Sequence, residues 1–128
     1  MAKKVLMIDD DHEFIEAITN ILDAKGYDVV SANDGKDGVV KAKQEKPDII
    51  LLDVMMTTKS EGFDVARELS MDANLKGTPV VMLTGVRKEM NLPFGFEPDS
   101  DWLPVKAFLE KPVKPETLLK TIEENIKK

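Results

Sequence analysis

Residues 48–53 read Asp-Ile-Ile-Leu-Leu-Asp, four large aliphatic side chains in a row between two acids. A strand with one wet face alternates apolar and polar residues. A continuous apolar run of this length instead suits a strand covered on both faces, as in a parallel sheet. Val5–Ile8 and Val80–Leu83 are runs of the same kind, Tyr27–Ala32 reads as a further strand, and Val105–Leu109 as a fifth. Between them lie stretches with helical periodicity. Phe14, Ile15, Ile18, Ile21 and Leu22 mark a first helix, with Asp10 and Glu13 placed as a capping box and Gly26 as its stop. Lys36–Glu45 is a weaker helix with Val39, Val40 and Ala42 inward, and Gly62–Ser70 another with Phe63, Val65, Ala66 and Leu69. Pro115–Ile126 closes the chain, with proline at the helix start and Leu118, Leu119, Ile122 and Ile126 on one face.

Strands alternating with helices predict βαβ units, an α/β fold with one parallel sheet of five strands and helices on both faces. With 128 residues there is room for one domain, 1–128, and the sequence reads as having no output domain after it. The segment from Thr84 to Val105 breaks the rhythm. It holds Pro93, Pro98 and Pro104, so only short helical turns are expected, at Arg87–Leu92 and Asp99–Leu103.

Composition narrows the function. Acids outnumber bases by 24 to 18, a net charge of −6, which disfavours binding to nucleic acid or to anionic lipid. There is no cysteine, which removes disulfides, thiol catalysis and Cys-ligated zinc. His12 is the only histidine, which excludes a multi-His metal site within the chain, and it reads as a solvated surface residue. No run is long enough to cross a bilayer, and the N-terminal apolar run is too short for a signal peptide, so the expected location is the cytoplasm. Lys41, Lys43 and Lys46 read as a solvated helix face.

In open parallel sheets, ligands sit beyond the carboxyl ends of the strands. There the sequence puts Asp9, Asp10 and Asp11 after the first strand, Asp53 after the third, Thr84 after the fourth, and Lys111-Pro112 after the fifth. One such acid is usually a cap or turn former. Gathered together, Asp9, Asp10 and Asp53 must protonate one member, be neutralised by Lys111, or bind a cation. Oxygen ligands without His or Cys select a hard ion, Mg²⁺ above all. Mg²⁺ beside a carboxylate, an ammonium and a hydroxyl is equipment for phosphoryl transfer, with Asp53 as nucleophile and Thr84 and Lys111 supporting the phosphoryl oxygens.

Four segments in order carry a family resemblance: Val-Leu-Met-Ile-Asp-Asp-Asp at 5–11, Pro-Asp-Ile-Ile-Leu-Leu-Asp-Val-Met-Met at 47–56, Val-Val-Met-Leu-Thr-Gly at 80–85 and Phe-Leu-Glu-Lys-Pro at 108–112. Together they resemble the receiver domain of two-component response regulators, over essentially the whole chain. The resemblance implies a doubly wound, flavodoxin-like sheet of order 2-1-3-4-5. It implies that Asp53 is the phospho-acceptor, modified by a sensor histidine kinase or phosphotransfer protein. Asp9 and Asp10 then hold Mg²⁺ with Asp53 and the Met55 carbonyl. Lys111 and Thr84 follow the phosphoryl group, Phe108 is the switch aromatic, and Lys111–Pro112 is a cis peptide. By the same resemblance the domain is a regulatory switch rather than an enzyme, at most phosphorylating and dephosphorylating itself. It shifts the face made by the fourth strand, fourth helix, fifth strand and last helix, and so controls binding of a downstream protein.

The chain departs from that pattern at Thr57, where the family usually has proline after Met-Met, and the loop to Gly62 is one residue longer. Met55 and Val86 flank the acceptor where they can tune acyl-phosphate hydrolysis. The long proline-bearing connection departs furthest, and its Phe94, Phe96 and Trp102 read as core filling, or alternatively as an aromatic docking surface. Two other functions remain as rivals. One is a Mg²⁺-dependent dehalogenase-type phosphatase with Asp9 as nucleophile, Asp11 as acid, and Thr84 and Lys111. That family needs further acids after its lysine, where this chain has Pro112 and a helix. The other is a receiver used as a phosphorylation-independent interaction module. A flavodoxin is disfavoured because the first loop is acidic rather than rich in Ser, Thr and Gly.

Overall fold

The computed structural model describes residues 3–53, 65, 67–69, 71–72, 75, 77–84, 107–110 and 113–126. The strands are β1 (Lys4–Ile8), β2 (Asp28–Ala32), β3 (Ile49–Asp53), β4 (Val80–Thr84) and β5 (Ala107–Glu110). The helices with defined bounds are α1 (His12–Ala24), α2 (Gly35–Glu45) and the C-terminal helix α3 (Pro115–Asn125). Residues 65, 67–69 and 71 are also helical, with Val65 and Leu69 buried. All strands pair in parallel, in the order β2-β1-β3-β4-β5.

The period of two in a strand explains the layering. Leu6, Ile8, Ile50, Leu52, Val80 and Met82 point to one face, where they pack with Val39 and Ala42 of α2 and with Val65 and Leu69. Val5, Met7, Ile49, Leu51, Val81 and Leu83 point to the other, against Ile15, Ile18 and Leu22 of α1 and Leu118 and Ile122 of α3. Both faces are therefore dry. That is the doubly wound α/β architecture expected from the unbroken apolar runs.

Local details differ from the sequence reading in instructive ways. Val40 is 45% exposed, not inward, because α2 presents Val39 and Ala42 to the sheet and position 40 falls outside that arc. Lys41 and Lys43 are not merely solvated. Lys41 Nζ donates to the Ser31 carbonyl of edge strand β2, and Lys43 lies 3.8 Å from an Asp72 carboxylate oxygen. Lys46 ends α2 in the left-handed region, at φ 48°. Gly26 follows α1 at φ 87°, as the stop signal predicted. The strand expected at Val105–Leu109 runs from Ala107 to Glu110, Val105 lying outside the described residues. Arg87–Leu92, Asp99–Leu103, Phe94, Phe96 and Trp102 also lie outside them.

The amino ends of β1 and β3 are stapled away from the acids. The Lys4 amide donates to Asp48 Oδ2 at 2.8 Å, the Asp48 amide to the Lys4 carbonyl at 2.8 Å, and Lys4 Nζ pairs with Glu45 Oε1 at 2.9 Å.

Gly38 of α2 shows how closely helix and sheet approach. A Cβ there would lie 2.5 Å from Cδ1, 2.8 Å from Cγ1 and 2.9 Å from Cγ2 of the fully buried Ile8. Alanine normally favours a helix over glycine by about 1 kcal/mol. Overpacking of this kind costs about 1–3 kcal/mol and outweighs that gain. Gly38→Ala will lower the urea midpoint, whereas a helix governed by propensity alone would raise it.

Tyr27 lies beside the α1/α3 core layer, and its phenol is held above the ordinary value of 10.0, first by burial and then by the Glu123 carboxylate. The protonated phenol is thus favoured more in the folded than in the unfolded chain. The resulting stabilisation is fully present below pH about 10 and is lost as pH rises through the higher folded value. Denaturant midpoints measured from pH 8 to 12 will fall along this alkaline limb, and Tyr27→Phe will flatten it.

Candidate functional site

The sheet order reverses beside β1: the chain leaves β1 for β2 on one side and returns to β3 on the other. Crevices form at such a reversal, beyond the carboxyl ends of the strands. In the β1–β3 register Ile8 lies opposite Leu52, so the next residues are Asp9, just past β1, and Asp53, the last of β3. Two adjacent hydrophobic strands thus end in carboxylates at the same level. Asp9 is fully buried and Asp53 is 2% exposed, whereas Asp10, the next residue after Asp9, faces solvent.

One carboxylate oxygen from each of Asp9, Asp10 and Asp53 lies within 4.8 Å of the other two. Twice a metal–oxygen distance of about 2.1–2.5 Å is about 4.2–5 Å, so one cation fits among them. The donor set is oxygen only, which suits a hard ion such as Mg²⁺. Two unit negative charges at about 4–5 Å repel by about 3–4 kcal/mol at an effective dielectric of 20, and a divalent ion removes that penalty. The residues present therefore fit the ion expected from the sequence.

The N-cap of α1 departs from the sequence reading. The cap is Asp11, not Asp10: Asp11 Oδ1 accepts from the amides of Glu13 at 3.1 Å and Phe14 at 3.2 Å. Asp10 belongs to the carboxylate cluster, so the cap falls to its neighbour. The same Asp11 donates its own amide to Asp9 Oδ1 at 2.9 Å. The Asp9 amide in turn donates to the Ala32 carbonyl at 3.1 Å, which ties the β1 loop to the end of β2. This second task of Asp11 was missed in the sequence. The sequence carries a signal for the cap alone, since Asp directly before the first helical residue is a favoured N-cap, and none for the amide bond to Asp9.

Thr84 ends β4, and the register pairs Asp53 with Leu83 and Thr84 with Glu110. The backbone of Thr84 is thus one step beyond the level of Asp53 on the adjacent strand. Phe108 lies in β5, opposite Met82. Met55 and Lys111, with the Lys111–Pro112 bond, lie outside the described residues. His12 is exposed at the first position of α1, as expected.

The sequence profile of the response regulator receiver domain matches residues 5–123. Protein PilH of Pseudomonas aeruginosa is 36% identical over 119 residues, covering 93% of each chain. The alkaline phosphatase synthesis transcriptional regulatory protein PhoP of Bacillus subtilis is 35% identical over 113 residues, or 88% of this chain and 46% of that protein. The chain thus spans nearly all of the first relative and about half of the second. Among solved structures, the chemotaxis response regulator CheY4 of Vibrio cholerae superposes with a TM-score of 0.81 at 30% identity, covering 97% of this chain and 98% of that one. The chain belongs to the response regulator receiver domain family. It has the CheY-like fold, and the family's role is regulatory, in two-component signalling.

Proposed function

We propose that residues 1–128 form a phospho-accepting switch in which Asp53 takes a phosphoryl group from a sensor histidine kinase or phosphotransfer protein. The observation that carries this reading is the meeting of Asp9, Asp10 and Asp53 at the switch in strand order. Asp9, Asp10 and Asp53, with the Met55 carbonyl, would hold Mg²⁺. Bound there, the ion supplies positive charge to the oxygens of a transferring phosphoryl group.

In the transfer, an Asp53 carboxylate oxygen forms a bond to phosphorus as the bond from phosphorus to the donor imidazole nitrogen breaks. The bonding pair leaves with that nitrogen, and Asp53 becomes a mixed carboxylic–phosphoric anhydride. Burial of Asp53 and Asp9, both almost fully removed from water, strengthens their electrostatic interactions with a transferring group. Lys111 would neutralise a phosphoryl oxygen, and the Thr84 hydroxyl would donate to another. Movement of Thr84 toward the phosphoryl group, with inward rotation of Phe108, would couple the site to the face formed by β4, β5 and α3. The ligand shifts a pre-existing equilibrium there and so alters binding of a downstream protein. No described helix is long and apolar enough to cross a membrane, and we place the switch in the cytoplasm with its kinase.

Incubation with acetyl phosphate and Mg²⁺, read by intact mass, tests the reading. A gain of about 80 Da is expected with Mg²⁺ and not with EDTA. Continuous hydrolysis of a phosphomonoester that survives Asp53→Asn but not Asp9→Asn would instead mark a dehalogenase-type phosphatase. Equal affinity for the downstream partner with and without beryllofluoride and Mg²⁺ would mark a phosphorylation-independent module.

A further inference from the structure

We infer that Asp11 is a positioning residue for the metal centre, acting through its backbone on the carboxylate of Asp9. The inference rests on the metal-binding reading of Asp9, Asp10 and Asp53 and extends it to a residue outside that set.

The geometry has two halves that meet at one residue. On the helix side, the Asp11 side chain accepts from the amides of Glu13 and Phe14, and its carbonyl accepts from the amide of Ile15 at 3.0 Å. These bonds fix the backbone of Asp11 in the extended cap conformation, φ −93° and ψ 102°. On the site side, that backbone directs its own N–H at Asp9 Oδ1, 2.9 Å away. Asp9 is fully buried beside two other carboxylates. Like charge pushes its carboxylate to rotate away from the cluster, and the Asp11 amide holds one oxygen against that rotation. Rotation of the Asp11 backbone would release Asp9. The cap thus sets how well the site is preformed before an ion enters, and ions bind more tightly to sites that need not reorganise.

The role belongs to the hydrogen-bonding oxygen of Asp11, not to its charge. Serine accepts the same cap bonds without the charge, and alanine has neither. Comparing Asp11→Ser with Asp11→Ala therefore cancels the loss of charge and leaves the cap. The assay is calorimetric titration of Mg²⁺ alone into the full chain, well below the unfolding temperature, with no phosphodonor present. We expect Asp11→Ala to bind Mg²⁺ about fivefold more weakly than Asp11→Ser, with Asp11→Asn grouping with serine. Equal Mg²⁺ affinity for Ser and Ala, with only the melting temperature of Ala lowered, overturns the inference and leaves Asp11 a helix cap. If Asp11→Ala does not fold, Asp11→Gly replaces it, since glycine is tolerated at caps but offers no acceptor. It too should bind more weakly than serine, and equality again overturns the inference. Absence of Mg²⁺ binding by the unaltered chain overturns both the inference and the metal-centre reading, whereas binding with no Ser–Ala difference overturns the inference alone.

Discussion

Asp53→Asn will abolish phosphoryl uptake from acetyl phosphate while leaving the protein folded. The amide has nearly the shape of the carboxylate, so the buried end of β3 loses no volume. What it loses is the nucleophilic oxygen, since an amide oxygen does not form a stable acyl phosphate in water. Intact mass should show the gain of about 80 Da in the unaltered chain and none in the variant. Stability should move the other way. In EDTA the charges of Asp9, Asp10 and Asp53 face one another within 4.8 Å, and removal of one relieves repulsion. The variant should therefore be more stable in EDTA, on the order of 1 kcal/mol, and should gain less from added Mg²⁺ than the unaltered chain does. An 80 Da gain that persists in Asp53→Asn would place the acceptor elsewhere.

The second large effect is structural. Ile50 sits in the middle strand of the sheet, fully buried, between Leu6 on β1 and Val80 on β4 in the register. Truncation to alanine removes three carbons from a layer packed against α2 and the helical residues Val65 and Leu69. Such substitutions cost about 2–5 kcal/mol, according to how far the surroundings relax. Strands hydrogen-bonded on both sides relax little, so Ile50→Ala should fall in the upper half of that range. A domain of this size has only about 5–15 kcal/mol in total. The urea midpoint should drop steeply, and Mg²⁺ should restore part of the loss by mass action. A change below 1 kcal/mol would mean that the layer is not close-packed at this point.

The apolar runs made the sheet legible. Ile49–Leu52 and Val80–Leu83 have no polar residue on either side of the pleat, and only a sheet covered twice can hide both sides. The ends of these runs made the carboxylates legible, because neighbouring parallel strands that each stop in Asp bring those acids together at the carboxyl end of the sheet. Asp9 and Asp53 are indeed the buried acids among the described residues. Single-residue register was less legible. Asp10 and Asp11 are both good caps by composition, and only packing of Asp10 with Asp9 and Asp53 assigns the cap to Asp11. Val40 failed for a similar reason: α2 is short and weakly patterned, and its arc against the sheet is fixed by the close approach at Gly38. Lys41 was legible only in part: Asp37 stands one turn before it at 3.8 Å, but its other partner, the Ser31 carbonyl, is a backbone atom on another element. Met55 and Lys111 fall outside the described residues, so their roles stand on the family resemblance, and the aromatic residues of the long connection, also outside them, stand on composition alone.

In the function proposed above, Asp9, Asp10 and Asp53 form one divalent cation site. Titration of Mg²⁺ into the full chain and into Asp10→Asn, by calorimetry at neutral pH, tests it most directly. Asp10 is the exposed member, so its amide fits without repacking. One ion should bind per chain, with affinity at least tenfold weaker in the variant, about 1.4 kcal/mol. Equal affinity in the two proteins, or no binding to either, would contradict it.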